Sequence, residues 1–326
     1  MMVPYVVRLL CICLASFFLV NAVFGLMASA ASRAAIRISE AMRPRAAARF
    51  LFILRMLPFA LGGVVVLGLC VPSYLWFEPQ TVSERMGLAC MALACLGAAS
   101  WSLSFARAAR AIAASLWCNR MWRQTGRETR LLGDTSPAVV VEKDAPLLAM
   151  SGVFRPRLIV SRAVLRELSS EELSVALQHE NAHRISRDNL KRLLLLLAPD
   201  SIPLFSACSS LEQTWARLSE WAADDDATQG DSHRALSLAA ALLRVARMGA
   251  GPRLSFLHTS LVAGDRDLSA RVDRLLRLEP ARSTSAPRPR FFTRGAALLA
   301  AGSVAVLMAW PATLSSVHRL LELFLR

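Results

Sequence analysis

Long stretches without a single charged residue alternate along this chain with stretches crowded by arginine. Between Arg8 and Arg33 lie 24 uncharged residues, and between Arg55 and Glu78 lie 22. Another 21 separate Arg85 from Arg107, and 24 separate Arg294 from Arg319, with His318 counted as neutral. About 20 apolar residues in a helix cross a hydrocarbon core of about 30 Å. The pattern therefore predicts four transmembrane helices, at about 9–32, 56–77, 86–106 and 295–318. The last contains Pro311 near its end, which a spanning helix tolerates.

The polar part of the pattern is one insert, residues 107–294, between the third and fourth runs. It opens with a basic, helix-like stretch. Strand-like segments follow at Ala138–Val141, Leu147–Val153 and Arg157–Val160, and from Ser161 onward the sequence reads mostly as helices. Pro, Ser and Arg crowd into Ala281–Arg290, a linker composition. The expected fold is an α-helical membrane protein: three helices in 1–106, an α+β domain at 107–294, a fourth helix at 295–318 and a short tail at 319–326.

Composition agrees with this division. The 326 residues are 55% hydrophobic and 19% charged, with a mean hydropathy of +0.42. A soluble domain is about 45–50% apolar and about 25% charged, so a disordered chain or a wholly soluble enzyme is a poor fit. The net charge is +14, and lysine occurs only at Lys143 and Lys191. The arginines gather in the first loop (Arg33, Arg37, Arg43, Arg45, Arg49, Arg55), just after the third run and just before the fourth. Basic loops stay in the cytoplasm, which puts the insert there and the amino terminus outside, in a bacterial-type inner membrane. The same distribution accounts for the base without any direct contact to nucleic acid. Arg8, the apolar run after it and Ala28-Ser29-Ala30 also fit a cleaved signal peptide. The run is longer than a usual signal core, and a dense basic segment follows it. None of the seven cysteines forms a CxxC pair, and five lie in apolar runs, so neither a disulfide framework nor a zinc ribbon is expected.

The chemistry concentrates in Gln178-His179-Glu180-Asn181-Ala182-His183, an HExxH motif. Ser169 and Glu172 upstream have the spacing of a capping box, which starts a helix. Residues four apart share a helix face, so both imidazoles reach one metal ion and Glu180 is placed as general base toward a metal-bound water. A zinc peptidase needs a third protein ligand. The metzincin class would need histidine at position 189, which is Asn189. Downstream, Glu220 and Asp224 form an ExxxD pair on a helix expected to begin near Leu211. Glu220 is the candidate third ligand, and Asp224 the acceptor for the free N–H of a ligating imidazole. A solvated acidic patch is the plain alternative, since Asp225 and Asp226 follow.

Beyond the motifs themselves, Ser151 to Ser161, Leu168 to Leu173, His179 to His183, Arg187-Asp188-Asn189, Glu220 to Asp224 and the later helix Leu268–Leu276 with Arg271 and Arg274 resemble, in order and spacing, the BlaR/MecR family of membrane metallopeptidases. The four-span plan extends the likeness over nearly the whole chain. The resemblance implies a gluzincin-like zinc endopeptidase facing the cytoplasm, with His179, His183 and Glu220 holding one Zn2+, Glu180 as base and Asp224 behind the ligands. It also implies signal transduction through loss of a cytoplasmic transcriptional repressor. By its composition alone, the linker Ala281–Arg290 is a candidate region for cutting by the chain itself; membrane lipid and a homodimeric second copy are further candidate partners. The family's antibiotic sensors add a penicillin-binding domain with an SxxK nucleophile after the fourth span. Here only Arg319–Arg326 follows, and neither lysine has a serine three residues before it.

Other readings stay open. HtpX-like and CAAX-prenyl-protease-like housekeeping enzymes share HExxH and ExxxD, and a non-catalytic membrane scaffold or receptor is the non-enzymatic choice. His233 is a candidate stabiliser of an oxyanion, weighed against a surface histidine, and His258 reads as structural. The run Leu193–Leu197 is too short to span and reads as a buried helix or a segment touching the bilayer. Leu211, Trp215 and Leu218 read as core.

Overall fold

The computed structural model describes residues 4–78, 86–130, 137–142, 145–200, 206–249, 259–260, 265–277 and 310–325. Among these, three helical segments are long and apolar enough to cross a membrane: α1 (Tyr5–Glu40), the segment Pro44–Phe77, and α4 (Leu88–Thr125). The second consists of α2 (Pro44–Val65), a π-helical turn at Val66–Cys70 and α3 (Val71–Phe77). Most of the expected fourth span, residues 295–309, lies outside the described residues, as do the linker Ala281–Arg290 and His258. The chain is described again from Trp310, where the last helix, α11 (Pro311–Leu325), begins.

The long helices pack through small residues. A side chain at Gly97 of α4 would place its Cβ 2.6 Å from the Leu14 carbonyl of α1, so these backbones meet closely only because glycine stands there. At one end of the bundle α11 docks on α3, with Ser73 Oγ donating to the Leu314 carbonyl at 3.0 Å. Arg8 is buried there, paired with Glu78 and donating from Nε to the Tyr74 hydroxyl at 2.9 Å. Pairing of this kind is how a charged side chain is accommodated among apolar helices.

Beyond the third apolar run α4 continues as one helix to Thr125. The chain then enters β1 (Gly126–Arg130), a strand that the basic, helix-like reading of this stretch does not anticipate. β1 pairs antiparallel with β2 (Pro137–Val141), β2 parallel with β4 (Arg157–Ser161), and β4 antiparallel with β3 (Leu148–Ser151). The two-residue β5 (Thr259–Ser260) completes the order β1-β2-β4-β3-β5. Strand residues alternate between faces, and here both faces are covered. Leu148, Met150, Leu158 and Val160 join a core with Val164, Ala176, Leu238 and Leu242. Val139, Val141, Ala149 and Ile159 pack on the other side against Trp122 of α4. That is why the strands read as nearly unbroken apolar runs.

The remaining helices are α5 (Arg162–Glu167), α6 (Ser170–Ser186), α7 (Asp188–Leu197), α8 (Ser206–Thr228), α9 (Ser232–Arg247) and α10 (Asp265–Leu276). Leu195, Leu211, Trp215 and Leu218 of α7 and α8 are buried against Ala35, Ala47, Ala48 and Leu51 of α1 and α2. The expected core positions on α8 are therefore core, and they join the sheet-bearing part to the long helices. α8 starts at Ser206, a turn or more before the Leu211 suggested by the sequence.

Candidate metal centre

The centre begins with the capping box of α6. Ser169 Oγ accepts from the Glu172 N–H at 3.2 Å, and Glu172 Oε2 accepts from the Ser169 N–H at 2.8 Å. The helix then runs unbroken through His179, Glu180 and His183, all of them fully buried or nearly so. The two histidine side chains, one turn apart, bring their Nε2 atoms to 3.2 Å from each other.

Glu220 arrives from α8. Its carboxylate oxygens lie 3.5 Å from His179 Nε2 and 3.6 Å from His183 Nε2. Ligand atoms of His179, His183 and Glu220 all fall within 4.8 Å of one another in a buried cluster. This arrangement can hold a metal ion.

Each imidazole is fixed from behind. His179 Nδ1 lies 3.0 Å from Asp224 Oδ1, one turn beyond Glu220 on α8. His183 Nδ1 lies 2.8 Å from Asp188 Oδ2. A proton on each Nδ1, facing its carboxylate neighbour, would leave both Nε2 lone pairs toward the shared point, the tautomer that a metal requires. Asp188 owes its place to a sharp turn. α6 ends at Arg187 in the left-handed region (φ 54°), and α7 starts at once, folding Asp188 back onto His183. Such a conformation at a non-glycine residue costs about 1–3 kcal/mol. The Asp188–His183 contact and the anchoring of Asn189, whose Nδ2 donates to the Gly152 carbonyl at 2.9 Å and to the Met150 carbonyl at 3.2 Å, help to offset it.

The electrostatics favour a cation at the shared point. Burial alone would raise the Glu220 carboxyl, but His183, His179 and Arg271 override it and hold the group well below its ordinary range. Burial works against the charged form of His183, yet Glu220 and Asp188 push it up to about 10. His179 is likewise raised, against burial, by Asp224 and Glu220. A group of carboxylates that lifts two buried imidazoles in this way is short of positive charge. Both Glu220 oxygens are buried without a hydrogen-bond partner, and so is Glu180 Oε1. Unsatisfied buried carboxylate oxygens are costly, and a cation with its water is the kind of partner that satisfies them. The donor set of His179, His183 and Glu220 fits a metal ion.

Glu180 is held differently. Its Oε2 accepts from the Met150 N–H of β3 at 3.1 Å, and burial pushes its carboxyl up to about 7 despite the imidazoles beside it. A cavity of about 280 Å³ opens beside His183, lined among others by Met150, Val153, Phe154 and Pro156.

Five of the six site residues expected from sequence thus meet in one place. His233 does not join them. It sits in the first turn of α9, 73% exposed, with Nε2 4.0 Å from Glu171 Oε2. Glu171 precedes His179 by eight residues, about 12 Å of helix rise. Three functional residues were assigned no role from sequence: Asp188, Asn189 and Arg271. Arg271 of α10 is buried and grips Asp224 through two bonds, Nε to Oδ2 at 3.0 Å and Nη2 to Oδ1 at 2.6 Å, with Nη1 3.4 Å from Glu220. In sequence Arg271 is one of three arginines on its helix, with Arg266 and Arg274, and nothing local separates it from the other two; Asp188 likewise has no local signal, because the end of α6 is set by tertiary contacts. No protein-family model matches the chain, and no curated protein matches it.

Proposed function

We propose that this protein is a membrane-associated zinc peptidase of the HExxH type. It hydrolyses a peptide bond of a protein on the cytoplasmic side, a repressor-like protein or the chain itself. The observation that supports this reading is the convergence of two imidazole Nε2 atoms from adjacent turns of α6 with a carboxylate from α8 in one buried cluster. Two nitrogens and one oxygen are the protein donor set of a catalytic zinc site, whose fourth position a water takes. When bound, the metal supplies Lewis acidity toward water and toward a carbonyl oxygen.

The chain's own groups do the rest. His179, His183 and Glu220 would hold the ion, with Asp224 and Asp188 keeping both imidazoles turned toward it. Glu180, anchored through one oxygen to the Met150 N–H, leaves its other oxygen to take a proton from the attacking water and to pass it to the leaving amine. Its buried setting favours holding that proton between the two transfers. The cavity beside His183 offers an apolar wall of Met150, Val153 and Phe154 for a substrate side chain.

The test compares wild type with Glu180→Gln. Purified wild type should contain about one zinc per chain, and Glu180→Gln should retain it. Cells with wild type should contain a cleaved cytoplasmic protein that cells with the variant lack. Wild-type protein free of any bound metal, or identical proteomes from the two strains, would reject the reading.

A further inference from the structure

A second cavity, of about 140 Å³, lies where α2 meets α8 and the turn from α6 into α7. Three cations line it: Arg45 and Arg49, one turn apart on α2, and Lys191, one of the two lysines in the chain. Two carboxylates bear on them. Arg45 Nη1 lies 3.1 Å from Asp226 Oδ2 in an exposed pair. Lys191 Nζ lies 2.7 Å from Asp188 Oδ1, while the other Asp188 oxygen faces His183. Arg49 is exposed and pairs with no carboxylate among the described residues.

Two further features turn this basic corner into a receptor for an anion. Ser219 of α8 is only 5% exposed, and its Oγ, at the cavity wall, is buried without a hydrogen-bond partner. A buried hydroxyl in that state is costly, and a ligand oxygen would satisfy it. α2 and α7 also begin beside the cavity, at Pro44 and Asp188, and helix amino termini carry partial positive charge. The volume is below the about 300–1,000 Å³ of pockets for drug-sized ligands, so the occupant is a small group and not a peptide segment.

Place in the fold narrows the source of that group. Arg55, at the start of the second charge-free run, follows Arg49 by six residues on the same helix, about 9 Å of rise. A headgroup layer extends about 5–7 Å beyond the hydrocarbon on each side, within reach of a long arginine side chain. Basic pockets beside spanning helices take lipid phosphates in this zone.

We propose that this cavity binds a phosphoryl anion, with Arg49, Lys191 and Ser219 as its donors and the phosphodiester of an anionic lipid headgroup as its source. The site does not depend on the metal-centre reading.

The experiment titrates full-length protein in neutral detergent, by calorimetry, with phosphatidylglycerol, with phosphatidylcholine of the same acyl chains and with inorganic phosphate. Phosphatidylglycerol should saturate near one per chain and bind at least about tenfold more tightly than phosphatidylcholine, the worth of one charge-assisted contact. Arg49→Gln should weaken it about tenfold, and Ser219→Ala about threefold. Arg37→Gln, which removes an exposed arginine of α1, should leave it unchanged. Inorganic phosphate that binds as tightly as phosphatidylglycerol would overturn the lipid as source. Equal binding of the two lipids by wild type, a result that needs no variant, would overturn the site. Folded Arg49→Gln with wild-type affinity would do the same, as would equal losses from Arg37→Gln and Arg49→Gln, the mark of diffuse attraction to charge.

Discussion

At the scale of single residues, the centre separates groups that would touch a metal ion from groups that would aim them. Replacing His183 with Ala should abolish stoichiometric metal binding, since two remaining donors from separate helices make a weak site; metal analysis of purified protein checks it. Asp224→Asn should leave the ligands in place but lose the carboxylate that fixes His179 and anchors Arg271. Loss of such a partner lowers metal affinity about 10–100-fold, which competition with a chelator measures. Arg271→Met strands the Asp224 carboxylate in a buried site and should cost at least as much. On the proposed peptidase reading, Glu180→Gln should keep the metal and lose about 10²–10⁴-fold in hydrolysis, the usual share of a general base. That pairing of outcomes distinguishes a base from a ligand.

At the scale of elements, α6 decides whether the imidazoles meet. Its start is fixed by reciprocal bonds between Ser169 and Glu172, so Ser169→Ala should lower stability by about 1 kcal/mol, read as a fall in thermal midpoint. The helix is also backed by the core. Leu238 of α9 is fully buried against its apolar face, and Leu238→Ala should cost about 2–5 kcal/mol, measurable by the same melt. Both the start of α6 and its apolar face were legible in the sequence, because capping and side-chain periodicity are local. The end was not. Arg187 adopts a left-handed conformation that its own chemistry does not favour, and only the surrounding contacts of Asp188 and Asn189 select it. β1 escaped notice for a related reason: Gly126–Arg130 alternates no apolar residues and becomes a strand only because β2 lies beside it.

At the scale of the whole molecule, the metal and the long helices are expected to stabilise different parts. If the cluster holds zinc as proposed, a chelator should lower the thermal midpoint and zinc should restore it. A free concentration of 100 times the dissociation constant is worth about 2.7 kcal/mol. Gly97→Leu should instead force α1 and α4 apart, because the new side chain meets the Leu14 carbonyl; differential scanning fluorimetry in detergent should show the loss whether or not zinc is present.

The chain by itself determined the three long apolar helices seen among the described residues, its strands β2, β3 and β4 and the start of α6, along with the pair of histidines one turn apart. Each of these depends on neighbours within a few residues, through periodicity, capping or an unbroken apolar length. Only the tertiary structure decided that Glu220 reaches those histidines, that Asp188 and Arg271 stand behind the ligands, and that His233 faces solvent beside Glu171. Those relations join residues on separate elements, and they depend on how helices pack, which a linear pattern of polar and apolar positions does not encode.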